Sequence, residues 1–322
     1  APIDQILDLD RQRRTALTEV EKLKNERNRV SKEVGNLKKK GEDTSAIQAS
    51  MRELGDRVAE LDKQVKDVDT RIEEIVIRIP NVPHPSLPVG PDSSGNRTVR
   101  TWGEPRKFDF TPRNHVELGQ KLGILDLERA TKISGTGFPL LVGLGARLER
   151  ELIRYMLDLH VNEHGYTELW PPVLCTSACM TGTGQLPKLA DDMYRVQGED
   201  LWLAPTAEVP VTNYYREEII EKPLPVYLTA YTPCFRKEAG AAGKGTRGFI
   251  RVHQFDKVEM VKFVEPETSY AELESLVANA EDVLKRLELP YRVLELCTGD
   301  ISFAAAKCYD IELWAPGQNE WL

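Results

Sequence analysis

The sequence has little of what marks several large classes of protein. It contains no run of eighteen apolar residues, which argues against a membrane-spanning helix. The first residues, Ala-Pro-Ile-Asp-Gln, lack a basic segment followed by an apolar one, so no signal peptide is recognisable. The net charge of -8 argues against a surface coated for nucleic acid, although it leaves room for a local basic patch.

Cysteine is also scarce. The five cysteines are odd in number, irregularly spaced and without a Cys-x-x-Cys pair, so free thiols in a reducing cytosol fit best. Cys175 and Cys179 lie four residues apart, with His160 and His164 upstream, but this group is a poor match for a zinc site. We therefore expect a cytoplasmic protein with no metal site within this chain.

Residues 1–79 carry two runs of apolar residues with coiled-coil spacing. From Ala16 to Leu37, and again from Ile47 to Ile79, apolar positions recur at alternating intervals of three and four. The break at 38–45 holds a glycine and a Ser/Thr/Asp cluster, which suits one helix end and a new helix start. The pattern predicts an antiparallel helical hairpin that projects into solvent, with a second helix roughly 50 Å long.

Positive charge is concentrated where this hairpin is predicted to turn. The arm as a whole holds as many Lys and Arg as Asp and Glu, so the basic character is local. Such a tip can follow a phosphate backbone, although a solvated coiled-coil surface is the simpler interpretation. The basic residues of the tip are Arg27, Arg29, Lys32, Lys38, Lys39 and Lys40.

After the arm, five prolines within residues 80–91 exclude helix and interior strand and predict a semi-rigid linker. We place an arm at 1–80, a linker and entry segment at 81–135, and a second domain at 136–322. Strands joined mainly as hairpins, with helices between them, predict an antiparallel sheet and an α+β fold for that domain. The predicted elements include strands at 102–110, 166–174 and 249–260, and helices at 115–127, 140–164, 206–220 and 269–287.

The most informative stretch is YTPCFRKEAGAAGKGTRGFIRVHQFDKVE, which begins at Tyr231. A β-prone run, a glycine-containing segment and a second strand-like run follow one another, as in a hairpin with a long loop. Alternate residues of a strand share a face, so four side chains are predicted to converge: Arg236, Arg251, Phe255 and Glu259. Arginine offers a planar fork for phosphate oxygens and Phe255 a ring for a base, although ordinary ion pairs on a solvated strand are an equal alternative.

The sequence Thr206-Ala207-Glu208 opens the predicted helix at 206–220. Thr206 suits an N-cap, and Glu208 would lie in the first turn, where the helix dipole favours a negative charge. Capping alone is the favoured interpretation of these residues when they are considered by themselves.

Together these features resemble the seryl-tRNA synthetases, a family of class II aminoacyl-tRNA synthetases, over essentially the whole chain. The helix at 143–164 and the following GYTELWPPVL resemble the family's first motif, which forms its dimer interface. FRKEAGAAGKGTRGFIRVHQFDKVE resembles the second motif, Thr206-Ala-Glu208 the serine-binding loop, and GTGQLPK a segment bordering the active site. The resemblance implies an antiparallel coiled-coil arm plus a catalytic antiparallel β-sheet flanked by helices.

The resemblance also implies roles for single residues. Arg236 would hold the α-phosphate of ATP, Arg251 would reach the β- and γ-phosphates, and Phe255 would stack on adenine. The implied ATP-binding residues are Arg236, Lys237, Glu238, Arg251, Val252 and Phe255. The implied serine-binding residues are Thr206, Ala207, Glu208, Arg236 and Glu259. The implied catalytic residues are Arg236, Arg251 and Glu259.

The implied reaction is the ATP-dependent activation of L-serine to seryl-adenylate and its transfer to the 3′ end of tRNA(Ser), with tRNA(Sec) as a further substrate of the family. The attacking carboxylate is already ionised, so positioning and charge stabilisation carry catalysis, and Mg²⁺ neutralises the pyrophosphate. The basic arm would grip the long variable arm of the tRNA. A homodimer would form through residues 143–174, with no membrane association.

The chain departs from the family pattern at both ends. The third motif, which binds ATP and metal, is not found before Leu322, and the short leading helical segment is absent before Ala1. We expect these residues alone to be inactive and poorly soluble. One alternative is a synthetase paralogue that activates an amino acid without charging tRNA, which the basic arm disfavours. The other is a non-catalytic coiled-coil RNA-binding fragment, which would not need a face made of Arg236, Arg251, Phe255 and Glu259.

Overall fold

The computed structural model of the chain describes residues 2–238 and 248–322. It divides into two compact units, Ala1–Pro80 and Asn81–Leu322. Within the described residues, none of the helices combines the length and the apolar character that crossing a bilayer requires.

The first unit is the predicted helical hairpin. Helix α1 spans Ile3–Lys39 and helix α2 spans Ser45–Val76, so α1 begins a dozen residues before the first apolar position of the repeat. The Asp43 carboxylate accepts the backbone N–H of Ser45 at 2.9 Å, which supports the start of α2 as the polar cluster predicts. The seam buries heptad residues of both helices: Val20, Val34, Val58 and Leu61.

The second unit combines helices with short, mainly antiparallel sheets, which confirms the predicted α+β class. Its first elements are β1 Arg97–Trp102, α3 His115–Lys121, α4 Leu127–Ser134, α5 Leu144–Asn162, β2 Thr167–Leu169, β3 Leu174–Thr176 and α6 Ser177–Gly182. The later elements are β4 Leu201–Leu203, α7 Glu208–Thr212, β5 Val226–Phe235, β6 Gln254–Phe263, α8 Ser269–Arg286, β7 Tyr291–Glu295, β8 Tyr309–Ala315 and β9 Glu320–Trp321.

A long two-stranded ribbon lies at the centre of this unit. Strands β5 and β6 pair antiparallel without a break, from Val226 opposite Phe263 to Phe235 opposite Gln254. Strand β2 adds to β5 in the parallel direction, so the sheet is mixed and not purely antiparallel. A second sheet has the order β1-β7-β8-β9, and β3 pairs with β4.

Helices cover these sheets and complete the core. Ala207 and Val211 of the α7 region pack on Leu228 and Ala230 of β5, and all four are fully or almost fully buried. Helix α8 packs a separate apolar group that includes the buried Tyr291. Residues of the α7 region therefore cover part of strand β5, and α8 closes a second apolar group against β7.

Several predicted boundaries are wrong, and proline explains one of them. The strand expected at 166–174 is two short strands, β2 and β3, that flank Pro171 and Pro172. Neither proline has an N–H to offer a ladder. The strand expected at 102–110 lies earlier, as β1, and the helix expected at 115–127 is divided into α3 and α4.

Two further corrections concern the elements next to the candidate site. The helix expected at 206–220 ends at Thr212, because Asn213 turns its amide back to the Val209 carbonyl at 2.8 Å and to the Cys179 carbonyl at 3.0 Å. The strand expected at 249–260 begins only at Gln254, and the residues before it form bends.

Candidate active site

One face of the β5–β6 ribbon carries the candidate chemistry. Phe255, Lys257 and Glu259 of β6 lie directly opposite Cys234, Thr232 and Ala230 of β5, and residues opposite each other share a face. The β5 side chains are small and buried, whereas the three β6 side chains remain partly open to solvent. The strand alternation thus brings an aromatic ring, an ammonium and a carboxylate into one row.

Glu259 is the centre of this row. The Thr206 hydroxyl donates to Glu259 Oε2 at 2.8 Å, and the Lys257 ammonium lies 3.0 Å from the same oxygen. The Glu259 side chain retains 21% of its exposure, so a small ligand can still reach the carboxylate. Lys257 is a site residue that the sequence argument missed, although its position two residues before Glu259 was the available signal.

The segment Pro205–Glu208 forms the opposite wall. Thr206 is buried, and its hydroxyl accepts the backbone N–H of Glu208 at 3.2 Å while it donates to Glu259. The prediction that Thr206 is the N-cap is wrong, because Ala207 is the N-cap residue of α7 and Thr206 lies one residue earlier. The Glu208 side chain reaches solvent, yet crowding by protein and the negative charge of Glu259 raise the pKa of its carboxyl group.

Arg236 follows β5 and lies beside this row. Its Nε donates to the Pro205 carbonyl at 3.2 Å, and its guanidinium carbon lies 5.1 Å from the centroid of the Phe255 ring. The backbone contact and the ring together fix the guanidinium. Arg236 thus contacts Phe255, which shares a strand face with Glu259.

Arg251 does not lie on the strand that was predicted to carry it. It precedes β6, its Nη1 lies 3.1 Å from Glu238 Oε2, and half of its side chain is exposed. Glu238 has a φ of 51°, in the left-handed region that residues other than glycine rarely adopt. The prediction that Arg251 lies on the same strand face as Phe255 is wrong.

The remaining predicted ATP-binding residues lie close by in the chain. The Lys237 backbone N–H donates to the Asp192 carbonyl at 2.7 Å, its ammonium lies 5.8 Å from the Tyr194 ring, and Val252 is buried. The rest of the predicted loop, residues 239–247, lies outside the described residues.

His253 closes this end of the ribbon and was not predicted. The Arg236 N–H donates to the His253 carbonyl at 3.0 Å, and His253 Nδ1–H donates to the Arg236 carbonyl at 3.0 Å. Gly137 accepts the His253 N–H, and a Cβ on Gly137 would lie 2.4 Å from the imidazole. His253 shares the alternation of Phe255 but precedes β6, and the sequence argument gave it no role.

Residues 2–238 and 248–322 contain no group of three or more His, Cys, Asp or Glu side chains arranged to hold a metal ion. Cys175 and Cys179 are free thiols, and burial raises the pKa of Cys175 to about 11.

The tip of the arm is a separate candidate surface. Lys32, Lys38, Lys39 and Lys40 are exposed, and no ion pair is recorded for them within the described arm. Arg29 lies 3.9 Å from Glu26, which is a loose contact. Away from the tip, cations pair across the hairpin, as Arg13 does with Asp69 at 2.5 Å.

Two family models match the chain. The model described as "Seryl-tRNA synthetase N-terminal domain" matches residues 1–83, and the model described as "tRNA synthetase class II core domain (G, H, P, S and T)" matches residues 193–322. The serine–tRNA ligase of Thermomicrobium roseum is 56% identical over 100% of this chain and 72% of that protein. The chain belongs to the seryl-tRNA synthetase family.

A second serine–tRNA ligase, from Caldanaerobacter subterraneus, is 57% identical over 100% of this chain and 76% of that protein. The seryl-tRNA synthetase of Pyrococcus horikoshii, solved in complex with ATP, has a TM-score of 0.90 at 39% identity and covers 99% of this chain and 76% of that chain. The predicted family, fold class and enzyme class are therefore confirmed: this is a class II synthetase of the serine–tRNA ligase type.

Proposed function

We propose that the β5–β6 face activates L-serine with ATP, and that the chain then transfers serine from seryl-adenylate to tRNA(Ser). The observation that supports this most directly is that the segment Pro205–Thr206 contacts both the Glu259 carboxylate, through the Thr206 hydroxyl, and the Arg236 guanidinium, through the Pro205 carbonyl. One short segment thus binds an anion suited to an ammonium group and a cation suited to a phosphate, as joining an amino acid to ATP requires. The Pyrococcus relative was solved in complex with ATP, which supports ATP as the nucleotide substrate.

For serine, Glu259 would accept the substrate ammonium and the side-chain hydroxyl. Both protein contacts to this carboxylate fall on Oε2, and none is recorded to Oε1 within the described residues. Glu208 would add a second negative charge near the ammonium, and its raised pKa would fall again when the cation binds. The Thr206-Ala207-Glu208 backbone would form the wall behind the serine side chain.

For ATP, Arg236 would bind the α-phosphate, where negative charge builds as the serine carboxylate attacks. Phe255 would stack on adenine, the Val252 backbone would meet the edge of the base, and Lys237 and Glu238 would flank that end. Arg251 would exchange Glu238 for the β- and γ-phosphates, a change that costs little because the pair is half exposed.

Proton transfer is not required for the first step, because the serine carboxylate is ionised at neutral pH. Catalysis would come from holding the carboxylate and the α-phosphate in line and from stabilising the new charge. Mg²⁺ would enter with ATP as part of the substrate complex.

The arm would supply the tRNA contact. Lys32, Lys38, Lys39 and Lys40, together with Arg27 and Arg29, give a stiff hairpin a basic tip that suits a phosphate backbone. Residues 143–174 would form the homodimer interface, since Leu144, Leu148 and Trp170 are 73%, 57% and 78% exposed. We place the protein in the cytoplasm.

Pyrophosphate exchange into ATP, measured with serine, threonine and alanine in turn, tests the first step. We expect exchange that depends on serine. In a second assay, we expect tRNA(Ser) to be charged with serine, and tRNA(Sec) is tested there as a further substrate. Exchange without charging would favour a paralogue that only activates an amino acid. Pyrophosphate exchange that does not depend on serine would contradict the proposal that serine is the substrate.

A further inference from the structure

His115, the first residue of α3, contacts two distant segments of the second unit. The Phe249 backbone N–H donates to His115 Nε2 at 2.9 Å, and the Gln318 side-chain amide lies 3.0 Å from Nδ1. The first contact spans 134 residues of sequence and the second spans 203. Phe249 lies two residues before Arg251, the proposed ligand of the β- and γ-phosphates.

Glycines allow both segments to approach this closely. A Cβ on Gly248 would lie 2.1 Å from His115 Nε2 and 2.6 Å from Val116 Cγ2, and Gly248 also has a φ of +90°. A Cβ on Gly317 would lie 2.5 Å from the Arg113 carbonyl oxygen. The imidazole is therefore held between the Phe249 backbone and the Gln318 side chain, and Gly248 and Gly317 let these two segments approach the start of α3.

The hydrogen bonds fix the state of the ring. Because Nε2 accepts the Phe249 N–H, it carries no proton, so a neutral ring has its proton on Nδ1. The Gln318 amide must then present its carbonyl oxygen to Nδ1–H, since two acceptor nitrogens would require an imidazolate. Burial lowers the pKa of His115, which favours the neutral ring that this arrangement needs.

We propose that His115 is a positioning residue for the nucleotide end of the site. Its ring fixes the backbone at Phe249 and thereby sets where Arg251 presents its guanidinium to the terminal phosphates of ATP. The Glu238 contact alone leaves Arg251 half exposed, so the anchored backbone is what restricts the guanidinium. The inference rests on the proposed function, because the role of Arg251 is part of that proposal.

Two substitutions separate positioning from packing. His115→Gln keeps an acceptor able to reach the Phe249 N–H, whereas His115→Leu fills similar space without one. In serine-dependent pyrophosphate exchange we expect His115→Leu to raise the KM for ATP about fivefold, the worth of one neutral hydrogen bond, with little change in the KM for serine. His115→Gln should restore most of the loss.

The result is read against the unsubstituted protein and against His84→Leu, which removes a histidine of the same unit outside the site. A KM for ATP in His115→Leu that equals the unsubstituted value would overturn the inference. The inference would also be overturned if both His115 variants lost activity equally and if the KM for ATP and the KM for serine changed to the same extent. That result would indicate packing alone. Absence of serine-dependent exchange in the unsubstituted protein would instead contradict the proposed function.

Nitrogen NMR of the unsubstituted protein gives a readout that does not depend on how the variants fold. With ¹⁵N-labelled histidine, we expect His115 to show a protonated Nδ1 and an unprotonated Nε2. A ring protonated at Nε2 could not accept the Phe249 N–H and would overturn the inference whatever the variants do.

Discussion

The arm and the β5–β6 ribbon both carry many charges, but they hold them differently. In the arm, ion pairs such as Arg11 with Asp8 lie on the surface, with most of each side chain exposed. In the ribbon, Glu259 keeps only 21% of its exposure, and its partner Thr206 comes from 53 residues away in the sequence. Exposed pairs contribute about 0–1 kcal/mol each, so the charges of the arm can change partner at small cost.

The difference indicates two ways of using charge. A surface that meets a phosphate backbone benefits from cations that are available, and the exposed lysines of the arm tip have that property. A site that stabilises charge in a reaction benefits from groups fixed before the ligand arrives, and Arg236, Thr206 and Glu259 are fixed by contacts from separate elements. Substitutions should therefore have large effects in the ribbon and graded effects in the arm.

The largest effect is expected at Arg236. Arg236→Ala removes the guanidinium proposed for the α-phosphate, and we expect serine-dependent pyrophosphate exchange to fall by about two to three orders of magnitude. Arg216→Ala, in the same unit, removes an exposed arginine whose one recorded ion pair among the described residues is with Glu217, and it should leave the rate within about twofold. Similar rates for the two variants would contradict the claim that a charge fixed in the ribbon matters more to the reaction than an exposed one.

A smaller effect is expected at Thr206. Thr206→Val keeps the shape and deletes the hydroxyl, so Glu259 loses a donor at a partly buried position, a change worth about 1–2 kcal/mol. We expect kcat/KM for serine to fall about tenfold with little change in the KM for ATP. Thr206→Ser retains the hydroxyl and should recover most of the activity; if it behaves like the valine variant, the hydrogen bond is not the cause.

The two units should also differ in their response to acid, because all five histidines lie beyond the arm. His160 of α5 is buried, its Nδ1 lies 2.9 Å from His164 Nδ1, and Asp282 contacts the other nitrogen of His164. Burial, and then the charge of His164, lower the pKa of His160 from 6.5 to about 4. As the pH falls, His160 therefore binds a proton in the unfolded chain before it does so in the folded protein.

A histidine with a lowered pKa contributes full stability above about pH 6.5 and loses it as the pH falls towards 4. We expect the second unit to lose about 1 kcal/mol of unfolding free energy between pH 7 and pH 5.5 from His160 alone. Urea unfolding at both pH values, for the protein and for His160→Gln, measures this. The substitution should remove most of that loss, and an unchanged loss would assign it to other groups.

The smallest effect is expected at the arm tip. Lys38→Ala with Lys39→Ala should weaken tRNA binding about two- to fivefold and lower the salt dependence by about one unit per lysine. The matched control is Lys63→Ala with Lys66→Ala, which removes two exposed lysines from the middle of α2. Equal losses in the two double variants would mean that net charge, and not the tip, attracts the tRNA.

The same contrast explains how much the sequence could predict. The arm was predicted almost completely, because heptad spacing and the polar break at 38–45 are local signals. In the ribbon, strand alternation correctly grouped Phe255 with Glu259. It wrongly included Arg251, because nothing in the alternation marks Gln254 as the first residue of β6.

The parts that could not be predicted depend on contacts across long stretches of sequence. Thr206 looked like a helix cap, and only the fold reveals that the same hydroxyl donates to Glu259. His253 and His115 could not be assigned a role, since their partners Gly137, Phe249 and Gln318 are far away in the chain. The roles of these histidines and of Gly137 could therefore be recognised only from the folded structure.

The unbroken register of β5 and β6 has a consequence for how this family can change over time. Pairing runs without a bulge from Val226 opposite Phe263 to Phe235 opposite Gln254. Inserting or deleting one residue in β6 between Glu259 and Phe263 would turn Phe255, Lys257 and Glu259 together to the other face. We therefore expect relatives to keep the length of these strands as well as their composition, and to differ in length mainly in the stretch that joins them.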